Sequence, residues 1–360
     1  MRRLVPTSYL RGLALLTLCT AILSGCSDDA TTGPEDNPTV DEATVLSDVA
    51  NKVILATYVD LDTKAGQLVT AVTSFNTSAT EANLTAARQA WRDARRPWEQ
   101  SEAFLFGPVD TKGIDPGIDS WPVNKADLDA VLASDATLTK NYIDGLEGTL
   151  KGFHTIEYLL FGVGNAKAAA SFTPREREYL VAVTESFKGS TAQLRSSWEP
   201  SGENFAAQLA GAGTTGSIYT SRKIALQELV DGMAAICDEV ANGKIGDPFS
   251  QQDRTLEESQ FSDNSNADFQ DNIRSVMNVY VGSYGTNQGK GLSALVAAKK
   301  ADLDVKVRAQ INAAIAAIGE MTPSFGVAIV SNKAKVEAAQ EAITTLRLTL
   351  EGEVLQTLTN

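Results

Sequence analysis

The amino-acid sequence predicts an all-α protein built from two helical-bundle halves. Apolar residues recur at alternating spacings of three and four, as on one face of an α-helix. The clearest stripe is Leu61, Ala65, Leu68, Val72 and Phe75. Helix starts carry capping residues, such as the Thr-Pro-Arg-Glu box at 173–176. The sequence has no sustained alternation of apolar and polar residues flanked by turn dipeptides, so a β-sheet is not expected.

These patterns place the helices, in chain order, near 41–75, 80–106, 140–161, 174–198, 218–242, 266–281, 292–318 and 333–358. Long helices joined by modest loops pack as antiparallel bundles. A stretch rich in Gly, Ser and Thr at 199–217 lies near the middle of the chain and forms the best boundary. The predicted halves are therefore residues 41–200 and residues 201–360.

The first 25 residues have the organisation of a bacterial signal peptide. Arg2, Arg3 and Arg11 are basic, and the apolar run at 12–23 is shorter than the ~20 residues of a permanent membrane helix. The run ends in Leu-Ser-Gly before Cys26, the pattern of a lipobox. We expect cleavage before Cys26 and lipidation of its thiol.

Residues 26–40 are expected to form a flexible tether, because Ser, Thr, Gly, Pro and acidic residues dominate them. The acidic cluster Ser27-Asp28-Asp29 resembles the export signal of surface-exposed lipoproteins. We therefore expect an outer-membrane lipoprotein of the bacterial cell envelope that faces outward. A tether that faces the periplasm is the alternative.

The charge of the processed chain excludes some classes of partner. Removing residues 1–25 leaves 28 basic against 45 acidic residues, a formal charge of −17. Nucleic-acid binding depends on Lys and Arg that neutralise phosphates, so no nucleic-acid partner is expected. The membrane is contacted through the lipid anchor alone. Cys237 is the remaining cysteine after Cys26, so no internal disulfide forms, and its apolar surroundings predict a buried thiol.

The sequence around the chain's single histidine carries the strongest chemical signal. His154 and Glu157 are three positions apart, so they share a helix face and can converge on one ion or proton-transfer site. Gly152 is predicted inside the same helix, where it costs ~1 kcal/mol relative to Ala and indicates a close backbone approach. The alternative is a core histidine beside a surface glutamate.

A second segment repeats this pattern at an offset of 55 residues. EQSEAFLFG at 99–107 aligns without gaps with HTIEYLLFG at 154–162, which pairs Glu99 with His154 and Glu102 with Glu157. Three carboxylates and one imidazole suit iron or manganese, as in di-iron bundles. The alternative is that the similarity between the two segments reflects only how the two helices end, and that it has a structural role without a metal site.

The segment GFHTIEYLLFG resembles the G-x-H-x-x-E signature of the imelysin family, the insulin-cleaving membrane protease homologues. Similar blocks occur at 91–109, 114–123, 241–249 and 260–282. The resemblance implies two bundle-like halves packed around a central cleft, an envelope location and a link to iron or haem acquisition. Further residues are expected to line the cleft: Trp91, Arg95 and Trp98 from their helical spacing, and Asp115 and Asp119 from their position in a Pro/Gly loop. The resemblance adds Asp263, Asp268 and Arg274.

A peptidase of the zincin type is excluded, because the chain has no H-E-x-x-H and no second histidine. The first hypothesis is a lipid-anchored binding protein that serves iron or haem transport machinery. Its ligand is a metal ion, with iron favoured over zinc, or haem with His154 as axial ligand. The second hypothesis is a metal-dependent endopeptidase in which Glu157 is a ligand or general base. An interaction protein with an inactive cleft is the third.

Overall fold

The computed structural model describes residues 40–360, whose regular secondary structure is almost entirely helical. The α-helices of the first part of the chain are α1 Glu42–Asp48, α2 Leu55–Thr77, α3 Glu81–Glu99, α4 Pro108–Thr111, α5 Asp115–Ile118, α6 Lys125–Ala133, α7 Lys140–Asp144, α8 Gly152–Phe161 and α9 Pro174–Trp198. Those of the second part are α10 Phe205–Ala210, α11 Arg222–Asp238, α12 Gly246–Gln251, α13 Ser265–Val281, α14 Leu292–Lys299, α15 Ala301–Gly319, α16 Phe325–Ser331, α17 Lys333–Thr349 and α18 Leu355–Thr359.

Shorter elements connect these helices. Segments of π-helix occupy Val49–Ile54, Glu239–Lys244 and Leu350–Val354, and single 3₁₀ turns occupy Glu102–Phe104, Gly148–Leu150, Val163–Asn165, Ala169–Ser171 and Arg254–Leu256. A two-residue antiparallel hairpin pairs β1, Ser283–Tyr284, with β2, Asn287–Gln288. Ser283 lies opposite Gln288. The all-α prediction is confirmed.

Two groups of helices make up the core. Helix α2 packs against α3 and α9, while α13, α15 and α17 pack in series. The predicted stripe from Leu61 to Phe75 is buried along its length. Helices α11 and α13 pack against the 3₁₀ turn Glu102–Phe104 and thereby join the groups. Residues 40–360 form one compact unit, and the division near residue 200 stays a prediction.

Several predicted boundaries match, and others are wrong. The helix predicted at 174–198 is α9, whose Thr173 and Glu176 form a reciprocal capping box. The helix predicted at 80–106 ends at Glu99, and the one predicted at 292–318 breaks at Lys300. The helix predicted at 140–161 is α7, a 3₁₀ turn and α8. Gly152 therefore begins a helix instead of lying inside one.

The signal peptide, the lipidated Cys26 and nearly all of the tether lie outside the described residues. Within residues 40–360, no helix combines the length and apolar character needed to span a membrane. Cys237 is fully buried, and burial raises the pKa of its thiol. The described part is thus a helical body with an inert thiol.

Candidate metal site

An acidic cavity of about 420 Å³ lies beside the start of α8. Three parts of the chain line it: the region from Glu102 to Trp121, the start of α8, and the region from Glu239 to Glu258. Its ionisable lining residues are Glu102, Asp115, Asp119, His154, Glu239, Lys244, Asp247 and Glu258. Short helices, 3₁₀ turns and loops supply this lining.

Gly152 sets the position of His154. Its φ of +77° is in the left-handed region, and a Cβ there would lie 2.4 Å from the carbonyl oxygen of Ile118. Only glycine allows this contact, which brings the end of α5 against the first turn of α8. His154 Nε2 consequently lies 3.0 Å from Asp119 Oδ1, with 2% of the histidine side chain exposed.

Asp119 is the most strongly held carboxylate of the site. Trp98 Nε1 donates to its Oδ2 at 2.5 Å, and Arg95 donates to its Oδ1. Burial alone would raise its pKa, but the Arg95 guanidinium and His154 hold the pKa of Asp119 well below its usual range. Burial alone would likewise lower the pKa of His154, whereas Asp119 and Glu157 raise that pKa to about 9.

Glu157 lies at the edge of the imidazole opposite Asp119 and does not line the cavity. Its Oε1 accepts from Phe261 N at 3.1 Å, Ser262 N at 2.8 Å and Ser262 Oγ at 2.6 Å. Its Oε2 lies 3.5 Å from His154 Nδ1. Neither Oε2 nor Nδ1 has a hydrogen-bond partner among the described residues. Glu157 therefore lies beside the Nδ1 of His154, and the two side chains do not converge on a common point in the cavity.

The structure brings His154 together with two other carboxylates. One ligand atom each from Asp119, His154 and Glu258 lies within 4.8 Å of the other two, and we call these residues the acidic triad. Glu99, Glu102 and Asp119 form a second set of the same kind. The predicted residues Glu99 and Glu102 thus lie near His154, with Asp119 as the link between the sets.

Glu99 and Glu102 occupy different environments. Glu99 ends α3 and is fully buried, and its Oε2 accepts from Asn272 Nδ2 at 2.6 Å. Burial raises the pKa of Glu99 well above its usual range despite the nearby Arg95. Glu102 follows in a 3₁₀ turn, lines the cavity, and has its pKa raised by burial to about 8.

Two cations are buried among these carboxylates. Arg95 contacts Glu99 at 2.6 Å, Glu258 at 3.0 Å and Asp268 at 3.6 Å, in addition to Asp119. Lys244 Nζ, at the end of the π-helical segment Glu239–Lys244, lies 3.0 Å from Glu258. Burial alone would lower the pKa of Lys244, but the surrounding carboxylates raise it, so both cations stay charged.

Carboxyl groups outnumber the cations in this cluster. Five carboxylates with at most 10% of their side chains exposed contact Arg95 or Lys244, against three cations with His154 included. They are Glu99, Glu102, Asp119, Glu258 and Asp268. Burial and neighbouring carboxylates raise the pKa of Asp268 to about 7 and that of Asp115 to about 6. A bound metal cation would stabilise the ionised forms of these crowded carboxyl groups.

The donor atoms also fit such an ion. Carboxylate oxygens with one imidazole nitrogen suit iron, manganese or zinc. Glu258 Oε2 is buried and has no hydrogen-bond partner among the described residues. In the acidic triad, Asp119 and His154 are fixed by their neighbours, while this oxygen stays available to a ligand.

Other predicted cleft residues have different roles. Trp98, Arg95 and Asp268 support the triad from behind, and Asp115 lines the cavity. Trp91 is a core residue whose Nε1 donates to Phe153 O at 3.0 Å. Asp263 pairs with Arg254 at 3.0 Å and Arg274 with Asp271 at 2.9 Å, both with partly exposed side chains. Trp91, Asp263 and Arg274 thus do not line this cavity.

Sequence reasoning missed Lys244 and Glu258. Lys244 lies in the block ANGKIGDPF, where a lone lysine reads as a surface residue. Glu258 follows Glu257 in an irregular segment without helical periodicity. Only the tertiary fold, which packs this segment against Arg95, identifies either residue.

Several known proteins are similar to this chain over the residues that form the site. The family model described as Imelysin (Peptidase_M75) matches residues 54–351. Iron-regulated protein A of Synechococcus elongatus is 32% identical over 343 residues, 93% of this chain and of that protein. The crystal structure of a protein named as an iron-regulated protein A precursor, from Parabacteroides distasonis, matches with a TM-score of 0.80 and 28% identity over 89% of this chain and 95% of that chain.

A second solved structure supports the fold alone. It is an imelysin-like protein from Psychrobacter arcticum, with a TM-score of 0.71 and 14% identity. The match covers 88% of this chain and 95% of that chain. The helical architecture is therefore shared at low sequence identity.

Proposed function

The chain belongs to the imelysin family, and from that premise we propose that it binds a metal cation, with iron favoured, as cargo in the acidic cavity. The observation that carries the proposal is the acidic triad within a cluster whose carboxylates outnumber its cations. Asp119, His154 and Glu258 would hold the ion. Glu102 lies at the edge of the same cavity and could complete the ligand set.

Charge supports a cation over an anion or a neutral ligand. Burying several carboxylates together is costly unless positive charge compensates them, and the raised pKa values express that cost. Arg95 and Lys244 offset part of the charge. A divalent or trivalent ion would offset the rest.

Ligand type and kinship favour iron, while zinc remains a second candidate. Oxygen-rich sets with one imidazole are typical of iron sites. The Synechococcus elongatus relative is named an iron-regulated protein. Haem is less well supported, because haem pockets need an extended apolar slot, whereas carboxylates and Lys244 surround His154 here.

The site is more consistent with cargo binding than with the endopeptidase hypothesis. That hypothesis gives Glu157 the role of ligand or general base. Three hydrogen bonds occupy Glu157 Oε1, and its side chain is fully buried outside the cavity lining. A general base must reach the water that it activates.

The expected location gives this binding a purpose. A chain lipidated on Cys26 would hold the helical body at the outer membrane, where it could capture iron and pass it to transport machinery of the envelope. Mass spectrometry of the protein isolated from membranes tests the anchor. A mature N-terminus at Cys26 with attached acyl chains is expected, and an unmodified N-terminus upstream of residue 26 would contradict it.

Metal binding by the purified full chain tests the cargo. Equilibrium dialysis against Fe²⁺ without oxygen, followed by iron analysis, should give one ion per chain, and His154→Ala should lose it. Two adjacent glutamates provide a matched pair. Glu258→Gln should weaken binding about tenfold or more, whereas Glu257→Gln, whose carboxylate accepts from Ser265 Oγ outside the cavity lining, should leave it unchanged. Equal effects of the two variants would overturn the proposed site.

A further inference from the structure

The acidic cavity is larger than a hydrated metal ion requires, and part of its lining is apolar. We propose that the cargo is a metal chelate. The cation would bind the acidic triad, and a compact organic chelator would pack against Leu105, Trp121 and Leu256, which we call the apolar rim. This inference rests on the proposed function and specifies the chemical class of its ligand.

The volume of the cavity exceeds what an ion needs. An octahedral ion with six waters of ~30 Å³ each fills about 180 Å³. The cavity encloses about 420 Å³. That volume lies within the ~300–1,000 Å³ typical of pockets for small organic molecules. Space for a chelator therefore remains beside the cation.

The apolar rim supplies the surface that such a chelator would cover. Leu105 follows the 3₁₀ turn Glu102–Phe104, Trp121 follows α5, and Leu256 ends the 3₁₀ turn Arg254–Leu256. Three separate segments thus bring apolar side chains to one cavity. Trp121 has 39% of its surface exposed and lies at the cavity, so a ligand can reach its ring. Its ring offers a flat face to a planar ligand.

The charge of the cavity limits the chelator. The cavity lining places Asp115, Asp119, Glu239, Asp247 and Glu258 against Lys244 and His154, so a polycarboxylate such as citrate would be repelled. A neutral chelator, or one that leaves the complex positively charged, fits. The ligand class is therefore a cationic metal complex with a planar, weakly charged organic part.

Three probes on the full chain test this inference: Fe²⁺ alone without oxygen, a one-to-one complex of Fe³⁺ with a hydroxypyridinone, and ferric citrate. The first two carry the same net charge but differ in the oxidation state of iron as well as in the organic part, and the variants of Trp121 described below isolate the organic part. We expect the hydroxypyridinone complex to bind about tenfold tighter than Fe²⁺ alone, with iron and chelator retained in equal amounts after dialysis. Ferric citrate should bind more weakly than both.

Substitution of the rim separates the inference from the proposed function. Trp121→Ala should bind the hydroxypyridinone complex no more tightly than Fe²⁺ alone, and its affinity for Fe²⁺ should be unchanged. Trp121→Phe should retain most of the difference in affinity between the two probes. Val163→Ala, at a residue 71% exposed outside the cavity lining, is the control. Equal affinity of the two cationic probes, retention of iron without chelator, or an unchanged gain in Trp121→Ala overturns the chelate. Failure of both probes to bind overturns the proposed function itself.

Discussion

Glu157 and Ser262, which are 105 positions apart in the chain, are joined by two hydrogen bonds to one carboxylate oxygen. Ser262 N donates to Glu157 Oε1 at 2.8 Å and Ser262 Oγ donates to it at 2.6 Å. The second oxygen of Glu157 faces His154 Nδ1. The glutamate of the H-x-x-E pair thus connects the loop before α13 to the histidine of the cavity, as an outer partner of a metal-ligating imidazole does.

Glu157→Ala should therefore reduce both stability and metal affinity. It leaves the backbone N–H groups of Phe261 and Ser262 buried without an acceptor and removes the partner of His154. We expect a loss of about 3 kcal/mol in the free energy of unfolding, measured in urea, and about tenfold weaker Fe²⁺ binding. Glu185→Ala, on the exposed side of α9, should change neither. A normal Fe²⁺ affinity in Glu157→Ala would show that Glu157 does not position His154.

Sequence reasoning works where local chemistry decides the structure. The bounds of α9 follow from Thr173, Pro174 and Glu176, because the capping box forms within one turn of the chain. It fails at 140–161, where the contact of Gly152 with Ile118 O decides the backbone. Likewise, the histidine and the acidic echo at 99–102 indicate a site. Glu258 and Lys244 enter that site only through long-range packing, which no local pattern encodes.

Lys244 should compete with a bound cation for the same carboxylates. Its Nζ lies 3.0 Å from Glu258 and 3.9 Å from Glu102. In Lys244→Met the metal-free protein should lose about 3 kcal/mol of stability, since the carboxylates lose a buried partner. Its affinity for Fe²⁺ should rise several-fold, because the cavity becomes more negative.

Calorimetric titration with Fe²⁺ measures the affinity, and urea unfolding measures the stability. Lys335→Met serves as control, because Lys335 forms an exposed pair with Glu320. If Lys244→Met loses affinity as His154→Ala does, Lys244 supports the ligand set instead of competing with the ion.

Stability of the metal-free protein should fall as pH rises from about 6 to about 9. The folded protein holds raised pKa values for Glu102 at about 8, Asp268 at about 7 and His154 at about 9. The unfolded chain has ~4.3, ~3.9 and ~6.5 for these residue types. The folded state therefore binds more protons in this range, so the stabilisation is complete below the unfolded values and is lost as pH passes the folded ones.

A bound cation should lower the same pKa values and release protons. Calorimetry of Fe²⁺ binding near neutral pH in two buffers with different ionisation enthalpies measures that release. Urea unfolding at several pH values, with and without Fe²⁺, measures the stability. Bound Fe²⁺ should make the free energy of unfolding depend less on pH. Rising stability toward pH 9, or binding without proton release, would contradict the raised pKa values of Glu102, Asp268 and His154.

Two glycines with similar positive φ angles separate conformational strain from the close approach that builds the site. Gly152 has a φ of +77° and Gly164 a φ of +69°, but only at Gly152 would a Cβ meet another atom, 2.4 Å from Ile118 O. Gly164→Ala should cost about 1 kcal/mol for its backbone conformation alone. Gly152→Ala should cost about 3 kcal/mol or more, because α8 must move away from α5. That movement separates His154 from Asp119, so Fe²⁺ binding should weaken in Gly152→Ala and stay normal in Gly164→Ala. Equal Fe²⁺ affinity of the two variants would show that the close approach of Gly152 to Ile118 does not position the histidine.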